Sequence, residues 1–166
     1  MRIAILTVST AGARGERKDS SGDAIAAWAH DHGYELVART LVSDDVNAIV
    51  RELLGWCDAE RADLVLTTGG TGLSPTDVTP EATRVVIERD AAGIAEWLRA
   101  SALNRFPRAA LSRGVAGVRH RTLIVNLPGS PGGVKDSLAA RGYTSHTRHS
   151  TPVESVNPRS IASGPE

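Results

Sequence analysis

The chain has 166 residues, 41% of them hydrophobic and 23% charged, with equal numbers of acidic and basic side chains and a formal net charge of zero at pH 7. This length and composition predict one globular domain of a soluble protein, and the balanced charge argues against nucleic-acid binding, which needs a basic surplus. The single cysteine, Cys57, excludes an intramolecular disulfide and a cysteine-rich zinc site, and the lack of a signal-peptide pattern or a long apolar run predicts a cytoplasmic protein without a membrane span.

The first third of the chain alternates predicted strands and helices. Apolar and β-branched residues predict a central strand at Arg2–Val8, followed by a polar loop over residues 9–22. Apolar residues at helical spacing predict a helix over residues 23–32, and a second strand is expected over residues 34–42. The Ser-Asp-Asp sequence that follows is typical of a turn and an N-cap, so a helix with a buried Cys57 should extend over about residues 45–59.

A glycine-rich loop follows the most apolar predicted strand, at residues 63–66. The loop reads Thr67-Thr68-Gly69-Gly70-Thr71-Gly72 and presents backbone amides and hydroxyls where the strand ends. That pattern indicates a phosphate site, because a ligand can approach the main chain without meeting a Cβ atom. The same glycines could instead serve only a tight strand-to-helix turn.

The rest of the chain predicts three more helices and two strands. Thr79 as N-cap and Pro80 behind it predict a helix to about residue 89. A second helix is expected over residues 91–104, and one short helical turn over residues 108–113. Two strands at residues 115–118 and 122–127, joined by a tight link, would make one of them antiparallel, and Ser130-Pro131 should open a last helix that runs to Leu138.

This order of elements predicts a three-layer α/β fold, with an open, mixed, mostly parallel sheet and helices on both of its faces. Ligands bind such sheets beyond the carboxyl ends of the parallel strands. The loops at Ser9, Asp44, Gly69 and residues 128–133 would share that edge, which favours a ligand site over a mere turn. We expect residues 1–140 to form this domain and the polar residues 141–166 to form a flexible tail.

Several other chemistries lack their sequence patterns. No Walker A motif and no GxGxxG after the first strand occur, Ser130 does not lie in a GxSxG elbow, and the five histidines form no HExxH motif. The remaining candidates for chemistry are the carboxylates of Asp44 and Asp77, hard oxygen ligands that suit Mg²⁺. Asp44 could instead cap a helix, Asp77 could stabilise a turn, and Asp19 could belong to an ordinary loop.

The glycine loop and the residues behind it resemble a known signature. Thr68-Gly69-Gly70-Thr71-Gly72 followed by Asp77-Val78-Thr79-Pro80-Glu81-Ala82-Thr83 is similar to that of molybdenum cofactor biosynthesis proteins of the MogA/MoaB type, related to the gephyrin G domain. Other motifs of that family are matched by Asp19-Ser20-Ser21-Gly22, Val42-Ser43-Asp44-Asp45, Leu111-Ser112-Arg113 and Asn126-Leu127-Pro128-Gly129-Ser130-Pro131. Family members usually continue past residue 140 with an apolar helix, from which the polar tail departs.

The resemblance implies a molybdopterin adenylyltransferase, which moves AMP from Mg-ATP to molybdopterin and releases pyrophosphate. It implies a homotrimer, or a hexamer built from trimers, that works with other molybdenum cofactor biosynthesis proteins. Asp44 and Asp77 match the two essential aspartates and are the predicted Mg²⁺ ligands. The other predicted substrate or phosphate contacts are Ser9, Asp19, Gly22, Thr68, Gly69, Gly70, Thr71, Gly72, Ser74, Ser112, Pro128, Gly129 and Ser130. A module that binds molybdopterin without efficient adenylylation is the alternative.

Overall fold

A computed structural model of the protein describes residues 1–140, and the predicted tail at 141–166 lies outside the described residues. The six strands form one sheet in the order β2-β1-β3-β6-β5-β4. The strands are β1 (Arg2–Val8), β2 (Glu35–Val42), β3 (Leu64–Thr68), β4 (Arg89–Asp90), β5 (Ala116–Arg119) and β6 (Thr122–Leu127). The helices are α1 (Thr10–Ala13), α2 (Ser20–Asp31), α3 (Val46–Cys57), α4 (Thr79–Val86), α5 (Ala92–Leu103) and α6 (Pro131–Ala139), with a 3-10 helix at Pro107–Leu111.

The sheet is mostly parallel, which confirms the predicted fold class. Strand β1 pairs in parallel with β2 and β3, and β3 pairs in parallel with β6. The antiparallel strand predicted near the end of the chain is β5, which pairs with β6 on one side and with the short β4 on the other. The register aligns Val8 with Val42, and Thr68 with both Thr7 and Leu127, so the carboxyl ends of four parallel strands meet at one edge.

Helices cover both faces of the sheet because side chains along each strand alternate between them. In β1, Ile3 and Ile5 pack in one apolar cluster with α2, α5 and α6, whereas Ala4 and Leu6 pack in a second cluster with α3 and α4. Cys57 lies in the second cluster, and burial raises the pKa of its thiol to about 11. The burial of Cys57 confirms the prediction of a buried thiol.

Residues 9–22 do not form the single loop that we predicted. Ser9 Oγ accepts a hydrogen bond from the Gly12 amide at 3.1 Å and caps the short helix α1. Asp19 Oδ1 accepts from the Gly22 amide at 2.9 Å, so α2 begins at Ser20, three residues before the predicted start. Two side-chain caps therefore order a stretch whose composition is typical of a loop.

Two other helix ends also differ from the prediction. Thr79 is the first residue of α4 and not its N-cap, because its hydroxyl donates to the Gly69 carbonyl at 2.9 Å. Helix α4 ends at Val86 because Arg89 and Asp90 pair with β5. No helix within residues 1–140 is long and apolar enough to cross a membrane.

Candidate active site

Two neighbouring cavities lie at the carboxyl ends of the parallel strands, one of about 390 Å³ and the other of about 790 Å³. Both are lined by Gly70, Gly129 and Ser130, which therefore form a shared wall. Of the other predicted residues, Ser9, Asp19, Asp44, Thr68 and Gly69 line the smaller cavity, and Thr71, Gly72, Asp77, Ser112 and Pro128 line the larger one. Gly22 and Ser74 line neither cavity, and both instead hydrogen-bond an aspartate through their amides.

Glycine is required at Gly69 and Gly129 because two loops come into close contact beside the shared wall. Gly69 has a φ of 96°, and a Cβ atom on it would lie 2.2 Å from the Val8 carbonyl oxygen. A Cβ on Gly129 would lie 3.1 Å from the Gly69 Cα. The Thr68 hydroxyl donates to the Pro128 carbonyl at 2.7 Å and joins the same two loops. The glycines therefore serve the turn and also keep the main chain open to a ligand.

Replacing Gly69 with alanine should lower the free energy of unfolding by at least about 3 kcal/mol, because the variant combines a left-handed backbone with a backbone clash. Gly93→Ala is the matched control, since no atom lies within 4 Å of the added Cβ and the residue lies in α5. The control should be neutral or stabilising by up to about 1 kcal/mol. Urea unfolding of both variants would measure the difference, and equal stabilities would contradict this account of Gly69.

Asp44 is held in the smaller cavity by helix α1. Its Oδ2 accepts hydrogen bonds from the Thr10 amide at 2.8 Å and from the Thr10 hydroxyl at 2.7 Å. The cap of α3 is the next residue, Asp45, whose Oδ1 accepts from the Ala48 amide at 2.8 Å. Asp44 therefore does not cap α3. Asp44 Oδ1 accepts no hydrogen bond from the described residues. This oxygen faces the glycine loop, since a side chain at Gly70 would place its Cβ atom 3.3 Å from it.

Asp77 occupies the corresponding place in the larger cavity. Its Oδ2 accepts a hydrogen bond from the Ser74 amide at 2.9 Å, and a Cβ on Gly72 would lie 2.8 Å from the same oxygen. Its Oδ1 accepts no hydrogen bond from residues 1–140. Asp77 therefore stabilises a turn, which is one of its two predicted roles, but it uses only one carboxylate oxygen to do so. The other oxygens of Asp44 and Asp77 are free for a ligand on either side of the glycine loop.

Asp19 has a structural role at the rim of the smaller cavity. Burial alone would raise its pKa, but hydrogen bonds from Arg39, the Gly22 amide and the Thr7 hydroxyl hold the pKa below its ordinary value. Arg39 Nη2 lies 2.7 Å from Asp19 Oδ2, and the Thr7 hydroxyl donates to the same oxygen at 2.9 Å. The carboxylate thus joins α2 to β1 and β2, and it positions the loop that precedes α2.

Replacing Asp19 with asparagine should lower the free energy of unfolding at pH 7 by about 1–2 kcal/mol, because the hydrogen bonds from Arg39, Gly22 and Thr7 lose their charged acceptor. A carboxylate with a lowered folded-state pKa contributes stability above its unfolded pKa of about 3.9, and that stability is lost as the pH falls through the folded value. The difference between variant and wild type should therefore shrink below about pH 4. The control is Asp31→Asn at the exposed far end of α2, and a difference that persists in acid would contradict the assignment.

The sequence prediction missed several cationic residues at the cavities. Arg17 and Lys18 line the smaller cavity, and Arg99, Arg105 and Arg108 line the larger one. Arg105 forms an ion pair with Asp136 at 3.1 Å, and Arg99 donates a hydrogen bond to the Gly114 carbonyl at 2.8 Å. Within the described residues, the Arg108 side chain forms no ion pair and no hydrogen bond. The smaller cavity also contains Asp19 and Asp44, so its lining is balanced in charge, whereas the larger cavity combines three arginines with Asp77 and Asp136. The small positive excess in the larger cavity suits phosphate groups.

Asp44 and Asp77 are the candidate metal ligands at the two cavities. Within the part of the chain that the structure describes, no group of three or more His, Cys, Asp and Glu residues is arranged to hold a metal ion. Asp44 and Asp77 each offer one hard oxygen, and Mg²⁺ commonly combines one or two such carboxylates with phosphate oxygens and water. The donors present therefore fit a Mg²⁺ ion that arrives with a phosphorylated ligand.

Comparison with known proteins gives consistent similarities over most of the chain. Residues 4–143 match the family described as a probable molybdopterin binding domain, and this range contains the residues that line both cavities. The molybdopterin adenylyltransferase of Helicobacter pylori strain J99 is 37% identical over 147 residues, which cover 84% of this chain and 81% of that protein. The molybdopterin adenylyltransferase of Escherichia coli K12 is 38% identical over 141 residues, or 83% of this chain and 72% of that protein. The fold is similar to the crystal structure of the molybdopterin biosynthesis enzyme MoaB from Thermus thermophilus, with a TM-score of 0.79 and 52% sequence identity. The match covers 84% of this chain and 87% of that chain.

Proposed function

This chain belongs to the family of probable molybdopterin binding domains, and on that premise we propose that it is a molybdopterin adenylyltransferase. The reaction joins a terminal phosphate oxygen of molybdopterin to the α-phosphorus of ATP. The bond from that phosphorus to the bridging oxygen of the β-phosphate breaks, and pyrophosphate leaves. The products are adenylyl-molybdopterin and pyrophosphate.

The observation that carries this proposal is a pair of cavities with one shared wall and one partly unbonded carboxylate in each. Two substrates can occupy adjoining cavities and meet at the wall formed by Gly70, Gly129 and Ser130. Transfer of a phosphoryl-type group requires mainly positioning and charge stabilisation, and the residues present supply both. The resemblance of the glycine loop to the family signature supports the same reaction.

The side chains and main chain of the site have separate tasks in this mechanism. Backbone amides of the glycine loop bind phosphate oxygens, and the arginines of the larger cavity balance phosphate charge. Asp44 lies beside Gly70 and Asp77 beside Gly72, and each has one carboxylate oxygen that accepts no hydrogen bond within residues 1–140. Mg²⁺ bound with ATP would neutralise phosphate charge, and Asp44 and Asp77 would each offer it one hard oxygen ligand and so orient the phosphates.

Pyrophosphate release tests the proposed reaction directly. Incubation with molybdopterin, ATP and Mg²⁺ should release one pyrophosphate for each adenylyl-molybdopterin formed, and omission of molybdopterin should abolish the release. Removal of the metal with EDTA should abolish turnover as well. Molybdopterin binding without pyrophosphate release would instead support the alternative of a binding module.

We also propose that the protein assembles as a homotrimer, or as a hexamer built from trimers, and acts in the cytoplasm with other proteins of molybdenum cofactor biosynthesis. The resemblance to the MogA/MoaB type supports this assembly. Light scattering coupled to size-exclusion chromatography would give a mass of three or six chains. A monomer over the working concentration range would contradict it.

A further inference from the structure

An exposed loop leads from the glycine-rich segment to Asp77. It has no helix or strand over residues 73–76, and its first residue, Leu73, is 65% exposed. Within the loop, the Ser74 amide donates to Asp77 Oδ2, and the Asp77 amide donates to the Ser74 carbonyl at 2.9 Å. These local bonds set the shape of the turn. They do not determine where the turn lies relative to the larger cavity.

Arg113 contacts both ends of this loop. Its Nε donates to the Gly72 carbonyl at 2.7 Å, and its Nη2 donates to the Asp77 carbonyl. Its backbone amide donates to the Thr71 carbonyl at 2.9 Å. One planar guanidinium therefore bridges the residue before the exposed segment and the residue after it, a task that a lysine ammonium cannot reproduce with its single nitrogen.

Glu81, in the first turn of α4, holds the guanidinium in this orientation. Its carboxylate forms an ion pair with Arg113 Nη1, and hydrogen bonding by Arg113 holds the pKa of Glu81 below its ordinary value. Within residues 1–140, the hydrogen bonds of Arg113 all go to Thr71, Gly72, Asp77 and Glu81. These hydrogen bonds connect the glycine loop, the exposed loop and the start of α4.

We propose that Arg113 is a positioning residue for adenylyl transfer, which clamps the two ends of the 73–76 loop and so fixes the carboxylate of Asp77 at the larger cavity. This inference rests on the proposed function. Arg113 acts through Asp77 and through the backbone, and it does not act on the reacting atoms. A shift of about 1 Å in a group that orients a substrate can cost about 10²-fold in rate, so a looser clamp should lower kcat more than it changes KM.

The test compares Arg113→Lys with the control Arg84→Gln. Arg84 lies three residues after Glu81 on α4, with 4.0 Å between Arg84 Nη1 and Glu81 Oε1, and within residues 1–140 it forms no hydrogen bond with Gly72 or Asp77. Arg113→Lys should lower kcat about 10- to 100-fold while KM for ATP and for molybdopterin stays within about threefold. Arg84→Gln should keep wild-type kinetics. A kcat within twofold of wild type for Arg113→Lys, or a loss confined to KM, would overturn the proposal.

A double-mutant cycle separates positioning from a general structural role. If Arg113 acts through Asp77, adding Arg113→Lys to Asp77→Asn should lower kcat by less than about threefold further, because the group that it positions is already altered. Fully multiplicative losses would overturn the proposal. Glu81→Gln is a milder second variant, because Arg113 is unchanged and loses only its charged partner. It should lower kcat about threefold, and a wild-type kcat would count against the clamp.

Hydrogen exchange tests the clamp independently of activity. Amides of residues 72–78 should exchange at least about tenfold faster in Arg113→Lys than in wild type, while amides of β1 and β3 keep their protection. Unchanged exchange over residues 72–78 would overturn the clamp even if the enzyme were active. Conversely, a wild-type protein that releases no pyrophosphate would refute the proposed function, and faster exchange in the variant would still support the clamp.

Discussion

Asp77→Ala should lower kcat for adenylyl transfer by about 10²-fold or more, while the fold and the oligomer remain intact. The substitution removes both carboxylate oxygens, including the one that accepts no hydrogen bond from the described residues and is available for a phosphate-bound cation. Stopped assays of pyrophosphate release, with substrates above KM, would measure kcat. Circular dichroism and light scattering would confirm the fold and the mass.

Asp77→Asn refines this prediction because asparagine can still accept the hydrogen bond from the Ser74 amide. If charge is what the reaction needs, the asparagine variant should be nearly as slow as the alanine variant. The control is Asp90→Asn, an exposed carboxylate on β4 that lines neither cavity, and it should keep wild-type activity. A well-folded Asp77→Ala protein with kcat close to wild type would refute the assignment.

Asp44→Asn should also lower kcat by about 10²-fold, and it should in addition affect the contact with Thr10. Asp44 Oδ2 accepts two hydrogen bonds from Thr10, which tie the carboxylate to helix α1. An asparagine side chain has only one acceptor oxygen, so it must either lose a bond to Thr10 or turn its amide toward the ligand. Both arrangements remove the negative charge from the smaller cavity.

Asp45→Asn is the matched control for Asp44. The side chain of Asp45 caps α3 through the Ala48 amide, and asparagine is an equally good N-cap, so stability and kcat should stay close to wild type. Isothermal titration with ATP would show whether the Asp44 variant still binds nucleotide. Full activity in Asp44→Asn, or an equal loss in Asp45→Asn, would mean that the wrong aspartate had been placed in the site.

The strands and the glycine loop are predictable because local patterns determine them. The run Arg2–Val8 and the apolar residues that precede Thr67 can form only buried strands, and parallel strands end at one edge. Helix ends were less predictable, because several side chains nearby can serve as caps. Asp44 and Asp45 are identical in chemistry, and only the fold places the first against Thr10 and the second over α3.

The tertiary structure alone decided how the predicted residues divide between two cavities. The shared wall depends on the Thr68 to Pro128 hydrogen bond, which joins residues 60 positions apart, and the place of Asp77 depends on Arg113, 36 positions away. Local sequence therefore determined which segments become strands and glycine-rich turns, since backbone propensity and apolar periodicity act over a few residues. Contacts between distant segments determined the rest: Thr10, 34 positions from Asp44, holds one of its carboxylate oxygens, and only packing of the whole sheet brings such segments together.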